Sequence, residues 1–83
     1  MLLEKVREIV AQHGRLGTPV AQLTDESDLY EAGLTSLATV GLMLALEDGF
    51  DIEFPDNMLS RKTFGSIGSL AAAVEQLTAR AAV

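Results

Sequence analysis

The stretch Leu34-Thr35-Ser36-Leu37-Ala38-Thr39-Val40-Gly41-Leu42-Met43-Leu44-Ala45-Leu46-Glu47-Asp48-Gly49-Phe50 decides the fold. It contains no proline and no charge before Glu47. Leu37 to Gly49 reads as a helix, with Thr35 or Ser36 as its cap. At about 100° per residue, Thr39, Leu42, Met43, Leu46 and Phe50 share one side, and Leu37, Val40, Gly41, Leu44 and Asp48 share the other. A surface helix needs one apolar stripe; this one has two. The bulkier Leu42–Leu46–Phe50 stripe is expected to face the core. The second is either covered by a neighbouring helix or left as a docking surface, and the residues alone leave both open. Gly41 costs about 1 kcal/mol relative to alanine inside a helix. It is either tolerated or placed there to let another surface come close.

On the C-terminal side, Phe50 to Pro55 is a connection in which Ile52 and Phe54 alternate with acids. Asp56 is positioned to cap a short helix through Met58 and Leu59. Ser60-Arg61-Lys62-Thr63 carries the only adjacent basic pair and reads as a solvated turn, with Phe64 anchoring the core. Ser66 caps a last helix whose stripe is Ile67, Leu70, Val74 and Leu77; its tail, Ala79 to Val83, is expected to fray. On the N-terminal side, Leu3, Val6, Ile9, Val10 and His13 recur at helical spacing, with Lys5, Arg7 and Glu8 between them, so Leu2 to His13 forms an amphipathic helix. Gly14 stops it, and Gly17 and Pro19 mark a loop. The connection from Arg15 to Thr35 is too long to be featureless. Val20, Leu23, Leu29, Tyr30 and Leu34 are expected to tie it to the core. Asp28 and Glu31 have capping-box spacing for a single turn, and Gly33 permits a sharp change of direction. The reading is all-α: a small four-helix bundle, three longer helices and one short one, with a long loop between the first two.

Residues 1–83 make one domain and not two. A domain this small buries only about 60% of the surface its unfolded chain exposes. With three Phe, one Tyr and no Trp, its core must be aliphatic. There is no cysteine, hence no disulfide, no thiolate ligand and no cysteine nucleophile. The start, Met1 to Lys5, lacks the pattern of a signal peptide. The longest nearly uncharged run, Ser36 to Leu46, falls short of the roughly 20 apolar residues that span a bilayer. A cytoplasmic protein with no membrane role, and a monomer, is expected.

The net charge is −6. From Leu16 to Ser60 there are nine acids (Asp25, Glu26, Asp28, Glu31, Glu47, Asp48, Asp51, Glu53, Asp56) and no lysine or arginine. That field repels nucleic-acid phosphates and steers basic surfaces inward, so no nucleic-acid partner is expected.

Catalysis needs converging polar groups, and the candidates do not converge. Glu47 and Asp48 are adjacent, so on a helix they point about 100° apart. No calcium-loop pattern is present, and His13 reads as a solvated or capping residue. No catalytic residue and no metal site is expected. Ser36 stands out by position instead. It either caps the helix or offers an exposed hydroxyl at a helix N-terminus, where the dipole and free N–H groups favour a phosphate.

Around Ser36, Asp28-Leu29-Tyr30-Glu31-Ala32-Gly33-Leu34-Thr35-Ser36-Leu37 resembles the modification-site segment of acyl carrier proteins. The following Thr39 to Asp56 resembles their second helix and its exit. The resemblance covers nearly the whole chain. It implies a 4′-phosphopantetheine arm esterified to Ser36 by a phosphopantetheinyl transferase from coenzyme A, and a non-catalytic carrier whose arm holds cargo as a thioester. It also implies that Leu37, Val40, Gly41 and Leu44, with Glu47 and Asp48, face partner enzymes.

Three departures narrow this. Thr35 stands where the family usually has aspartate, Ala38 and Gly41 replace acids common in fatty-acid carriers, and Arg61 and Lys62 add positive charge. The segments Ala32 to Leu37 and Phe50 to Phe64 are similar to aminoacyl carrier proteins, which are charged by ligases related to the catalytic core of seryl-tRNA synthetases. A small amino acid such as glycine or alanine is the implied cargo. The alternatives are a conventional carrier of a fatty-acid, polyketide or lipid pathway and, in another class, an unmodified helical interaction module.

Overall fold

The computed structural model describes residues 2–81. Three α-helices carry the architecture: α1 (Leu2–His13), α2 (Ser36–Phe50) and α3 (Ile67–Ala81). Two single 3-10 turns, Val20–Gln22 and Asp56–Met58, sit in the connections, and there is no strand among the described residues. α1 packs against both α2 and α3. The core is aliphatic apart from Phe54 and Phe64, whose rings lie 5.6 Å apart.

The short helix expected after Asp56 is a 3-10 turn, so the described residues hold three α-helices. Pro55, not Asp56, precedes the first turn residue, and no side chain caps it. The chain leaves the helical region at Leu59. With so few residues there is no propagation to offset the cost of nucleating an α-helix. The tail expected to fray from Ala79 is helical through Ala81; 82 and 83 lie outside the described residues.

α2 runs one residue further at each end than its apolar pattern indicates. Gly49 does not stop it. A Cβ on Gly49 would lie 3.0 Å from Ile9 Cδ1, so this glycine lets α1 come close. The left-handed stop is made by Asp51, at φ 54°, whose N–H donates to the Glu47 carbonyl; aspartate is among the few residues that tolerate this conformation. α3 starts as expected. Ser69 N–H donates to Ser66 Oγ and Ser66 N–H donates back to Ser69 Oγ, both at 3.1 Å, a reciprocal cap.

The long loop is organised by a residue that its sequence position hides. Arg7, read as one of the polar residues between the α1 core positions, donates to the carbonyls of Val20 (3.1 Å) and Leu23 (2.8 Å) and to Asp25 Oδ1 (3.0 and 3.2 Å). This half-buried guanidinium ties the loop to α1 by donating to acceptors on three loop residues, the Val20 carbonyl also taking the Leu23 N–H at 2.9 Å. The Asp25 carbonyl in turn accepts from Gly68 N–H on α3 at 2.8 Å. Leu29 and Leu34 are buried anchors, and Val20, Leu23 and Tyr30 pack against the core.

Candidate functional site

Ser36 is placed by a chain of local devices. Asp28 Oδ1 accepts from the N–H groups of Tyr30 (2.8 Å) and Glu31 (3.4 Å), which starts a turn. Leu34 N–H closes it by donating to the Leu29 carbonyl at 2.9 Å. Gly33 makes the change of direction at φ 117°, where a Cβ would stand 2.8 Å from Gly17 N. No other residue fits that conformation and space. With Leu29 and Leu34 both buried, the next two residues are directed outward.

Thr35 is the helix cap: its Oγ1 accepts from Ala38 N–H at 3.1 Å. Ser36 is the first residue of α2, exposed, and its hydroxyl makes no hydrogen bond among the described residues. The choice between Thr35 and Ser36 as cap is thereby decided, and capping does not occupy the Ser36 hydroxyl. At this end of the helix the N–H groups of Ser36 and Leu37 have no intrahelical acceptor, and the macrodipole is positive.

Beside Ser36 lies a cleft of about 410 Å³ between α2 and the segment Leu59–Phe64, lined by Thr39, Val40 and Met43 on one side and by Tyr30, Leu59 and Arg61 on the other. The Arg61 guanidinium stands 4.1 Å from the centroid of the Tyr30 ring, a stack of about 0.5–1 kcal/mol at an exposed site. The basic pair is in a turn, as its sequence suggests, but Arg61 does not simply point into solvent. Sequence periodicity carries no signal for this contact, because Tyr30 and Arg61 are on separate loops.

The second apolar stripe of α2 is bare. Leu37, Val40 and Leu44 are 85%, 52% and 55% exposed, and Gly41 between them is exposed with nothing within 4 Å of where a Cβ would be. Among the described residues no neighbouring helix covers this face. Asp48 is exposed at its far end. Glu47 is different: its Oε2 accepts from Phe54 N–H at 2.8 Å, so that carboxylate holds the exit loop against the helix. Among the described residues no three histidine, aspartate or glutamate side chains come together as a metal site, and no helix is long and apolar enough to cross a membrane.

Comparison with known proteins agrees with this geometry. Residues 4–74 match the family model described as the phosphopantetheine attachment site. An aminoacyl carrier protein of Agrobacterium fabrum is 58% identical over 65 residues, covering 78% of each chain. The carrier protein from Agrobacterium tumefaciens, solved in complex with an engineered Bradyrhizobium japonicum glycine:[carrier protein] ligase and ATP, superposes with a TM-score of 0.89 at 51% identity, over 93% of this chain and 100% of that one. A glycylated carrier protein complexed with the Bradyrhizobium japonicum ligase gives 0.74 at 25% identity, over 87% and 96%. The chain belongs to the phosphopantetheine-attachment family of carrier proteins. Within it, the chain is a homologue of the aminoacyl carrier proteins, and its cofactor is a covalent 4′-phosphopantetheine.

The α2 N-terminus suits such a group. An exposed, unbonded serine hydroxyl, free N–H groups and a wide cleft leave room for a phosphodiester and do not force any buried group to desolvate.

Proposed function

We propose that Ser36 is the attachment residue and that the protein, a single non-catalytic carrier domain, presents an amino acid to partner enzymes. The observation that carries this is the division of labour at the start of α2: Thr35 caps the helix, so the exposed Ser36 hydroxyl is left free to react. In the transferase reaction Ser36 Oγ forms a bond to the phosphorus of coenzyme A nearest the pantetheine. The bond from that phosphorus to the nucleotide half breaks, and the hydroxyl proton leaves. When bound, the arm supplies a terminal thiol that carries cargo as a thioester; the chain, lacking cysteine, has no thiol of its own to compete.

Partner enzymes meet the bare α2 face. Leu37, Val40 and Leu44 provide apolar contact, Gly41 permits close approach, and Asp48 and Glu47 add charge, Glu47 while also holding the exit loop. The partners are a phosphopantetheinyl transferase and an amino acid:carrier protein ligase of the seryl-tRNA synthetase-related kind. The similarity to carriers solved with a glycine:[carrier protein] ligase supports a small amino acid such as glycine as cargo. The Asp56–Met58 turn stands in the place of the fourth helix of the carrier bundle. The setting is the cytoplasm, as a monomer.

The test is an intact-mass spectrum after incubation with coenzyme A, magnesium and a broad transferase, followed by a glycine:[carrier protein] ligase, glycine and ATP. The expected result is a phosphopantetheine mass gain and then a glycyl gain, both absent in Ser36→Ala. A modified protein loaded only by acyl-transferring enzymes would point to a conventional acyl carrier. No gain with several transferases would leave an unmodified interaction module.

A further inference from the structure

The cations of this acidic chain have different surroundings. Lys5 donates to the Gly49 carbonyl and lies over the Phe50 ring. Arg7 is held by Asp25 and two loop carbonyls. Lys62 faces a shallow depression that Glu26 and Asp28 also line. Arg61 borders that depression too, but it alone among these four also lines the Ser36 cleft. It forms no ion pair and donates no side-chain hydrogen bond among the described residues.

Its position is not loose. The turn that carries it is closed by Thr63 N–H donating to Ser60 Oγ at 3.3 Å and Phe64 N–H donating to the Ser60 carbonyl at 3.3 Å. The same turn is joined to the Tyr30 loop by Leu29 N–H donating to the Gly65 carbonyl at 2.8 Å. Tyr30 therefore lies against the guanidinium on a loop tied to the Arg61 turn, and among the described residues the fork of N–H donors is left without a carboxylate at the edge of a cleft whose other wall begins at Ser36.

We propose that Arg61, stacked on Tyr30, binds the phosphodiester of the arm on Ser36 and holds the root of the arm in the cleft between α2 and the Leu59–Phe64 segment. This rests on the reading of Ser36 as the attachment residue. The chemistry matches: a diester carries a single negative charge with two free oxygens, and a guanidinium presents paired donors for such a group. The unsatisfied N–H groups at the start of α2 face the same charge from the other side. Lys62, next in sequence but outside the cleft, does not share the role.

The experiment uses nitrogen and phosphorus NMR on the full chain, with the degree of modification read by mass. The Nε–Hε signal of Arg61, identified by its loss in Arg61→Lys, is expected to shift between the unmodified and modified protein. The phosphorus resonance of the modified protein is expected to move toward its value in urea-unfolded protein in Arg61→Gln and in Tyr30→Leu, and to stay in place in Lys62→Gln. Full mass gain with no shift of either signal would overturn the Arg61 assignment and leave Ser36 standing. No mass gain would overturn the attachment reading and this one with it. An equal Arg61 shift on adding inorganic phosphate to unmodified protein would mean a general anion site, and would overturn the assignment to the arm. Should Arg61→Gln fail to fold, the unmodified-to-modified comparison in the native chain decides alone.

Discussion

Leu44 and Leu46 sit two positions apart on one helix. Leu46 is fully buried in the core, and Leu44 is more than half exposed. The same contrast runs along the whole of α2, with Ala38 and Leu42 inward and Leu37 and Val40 outward. Burial on the inner face is the driving force for folding. The outer face contributes little to folding and exposes Leu37, Val40 and Leu44 along one side of the helix, the surface proposed above for partner enzymes. One helix thus carries the same kind of residue in two opposite environments.

Substitutions that separate the faces test this contrast. Leu46→Ala should cost about 2–5 kcal/mol through lost burial and the cavity left behind. In a domain this small that is enough to unfold much of the population. Leu44→Ala should stay within about 0.5 kcal/mol of the parent. Urea unfolding followed by circular dichroism reads both, and equal costs would erase the distinction between the faces. Leu44→Glu should then weaken loading by the ligase roughly tenfold, the scale of losing one central interface residue, with the helical spectrum retained. A collapsed spectrum would put Leu44 in the core after all.

The start of α2 sharpens the comparison at a smaller scale. Thr35→Ala should lose about 1 kcal/mol with the cap, while Ser36→Ala, which breaks no hydrogen bond in the structure, should change stability by a few tenths at most and abolish the mass gain. If Ser36→Ala were the costlier of the two in urea, the capping assignment would be reversed. At the middle of the outer face, Gly41→Ala should raise stability by up to about 1 kcal/mol, since a Cβ there meets nothing. Loading that slows despite this gain would show that the glycine is kept for close approach of a partner.

Much of this was legible in the sequence because it is local. The α1 boundaries follow from helical spacing ended by Gly14, and the α3 start from Ser66. The Gly33 turn needs only the rule that few residues adopt positive φ, and Ser36 was marked by its place before an apolar helix. What was not legible depends on residues far apart in the chain. Arg7 looked like a solvent-facing residue, yet its side chain reaches the loop 13 to 18 residues later. Glu47 reads only as surface charge, and nothing along the chain shows that its carboxylate also accepts from an amide of the exit loop. Gly49 looked like a helix end, and instead it makes room for Ile9. Arg61 and Tyr30 are 31 positions apart, and no periodicity joins them.

By itself, the sequence determined where the three long helices lie, that the core is mostly aliphatic, that the middle of the chain is acidic, and that α2 carries two apolar stripes. These follow from spacing and composition, which act along the chain. Only the tertiary structure decided which stripe is left bare, which of Thr35 and Ser36 caps the helix, and which cation borders the Ser36 cleft. Each of those depends on what other segments occupy or leave empty. Burial, capping and charge pairing are competitions for space and hydrogen-bond partners, and they are settled only when the whole chain is in place.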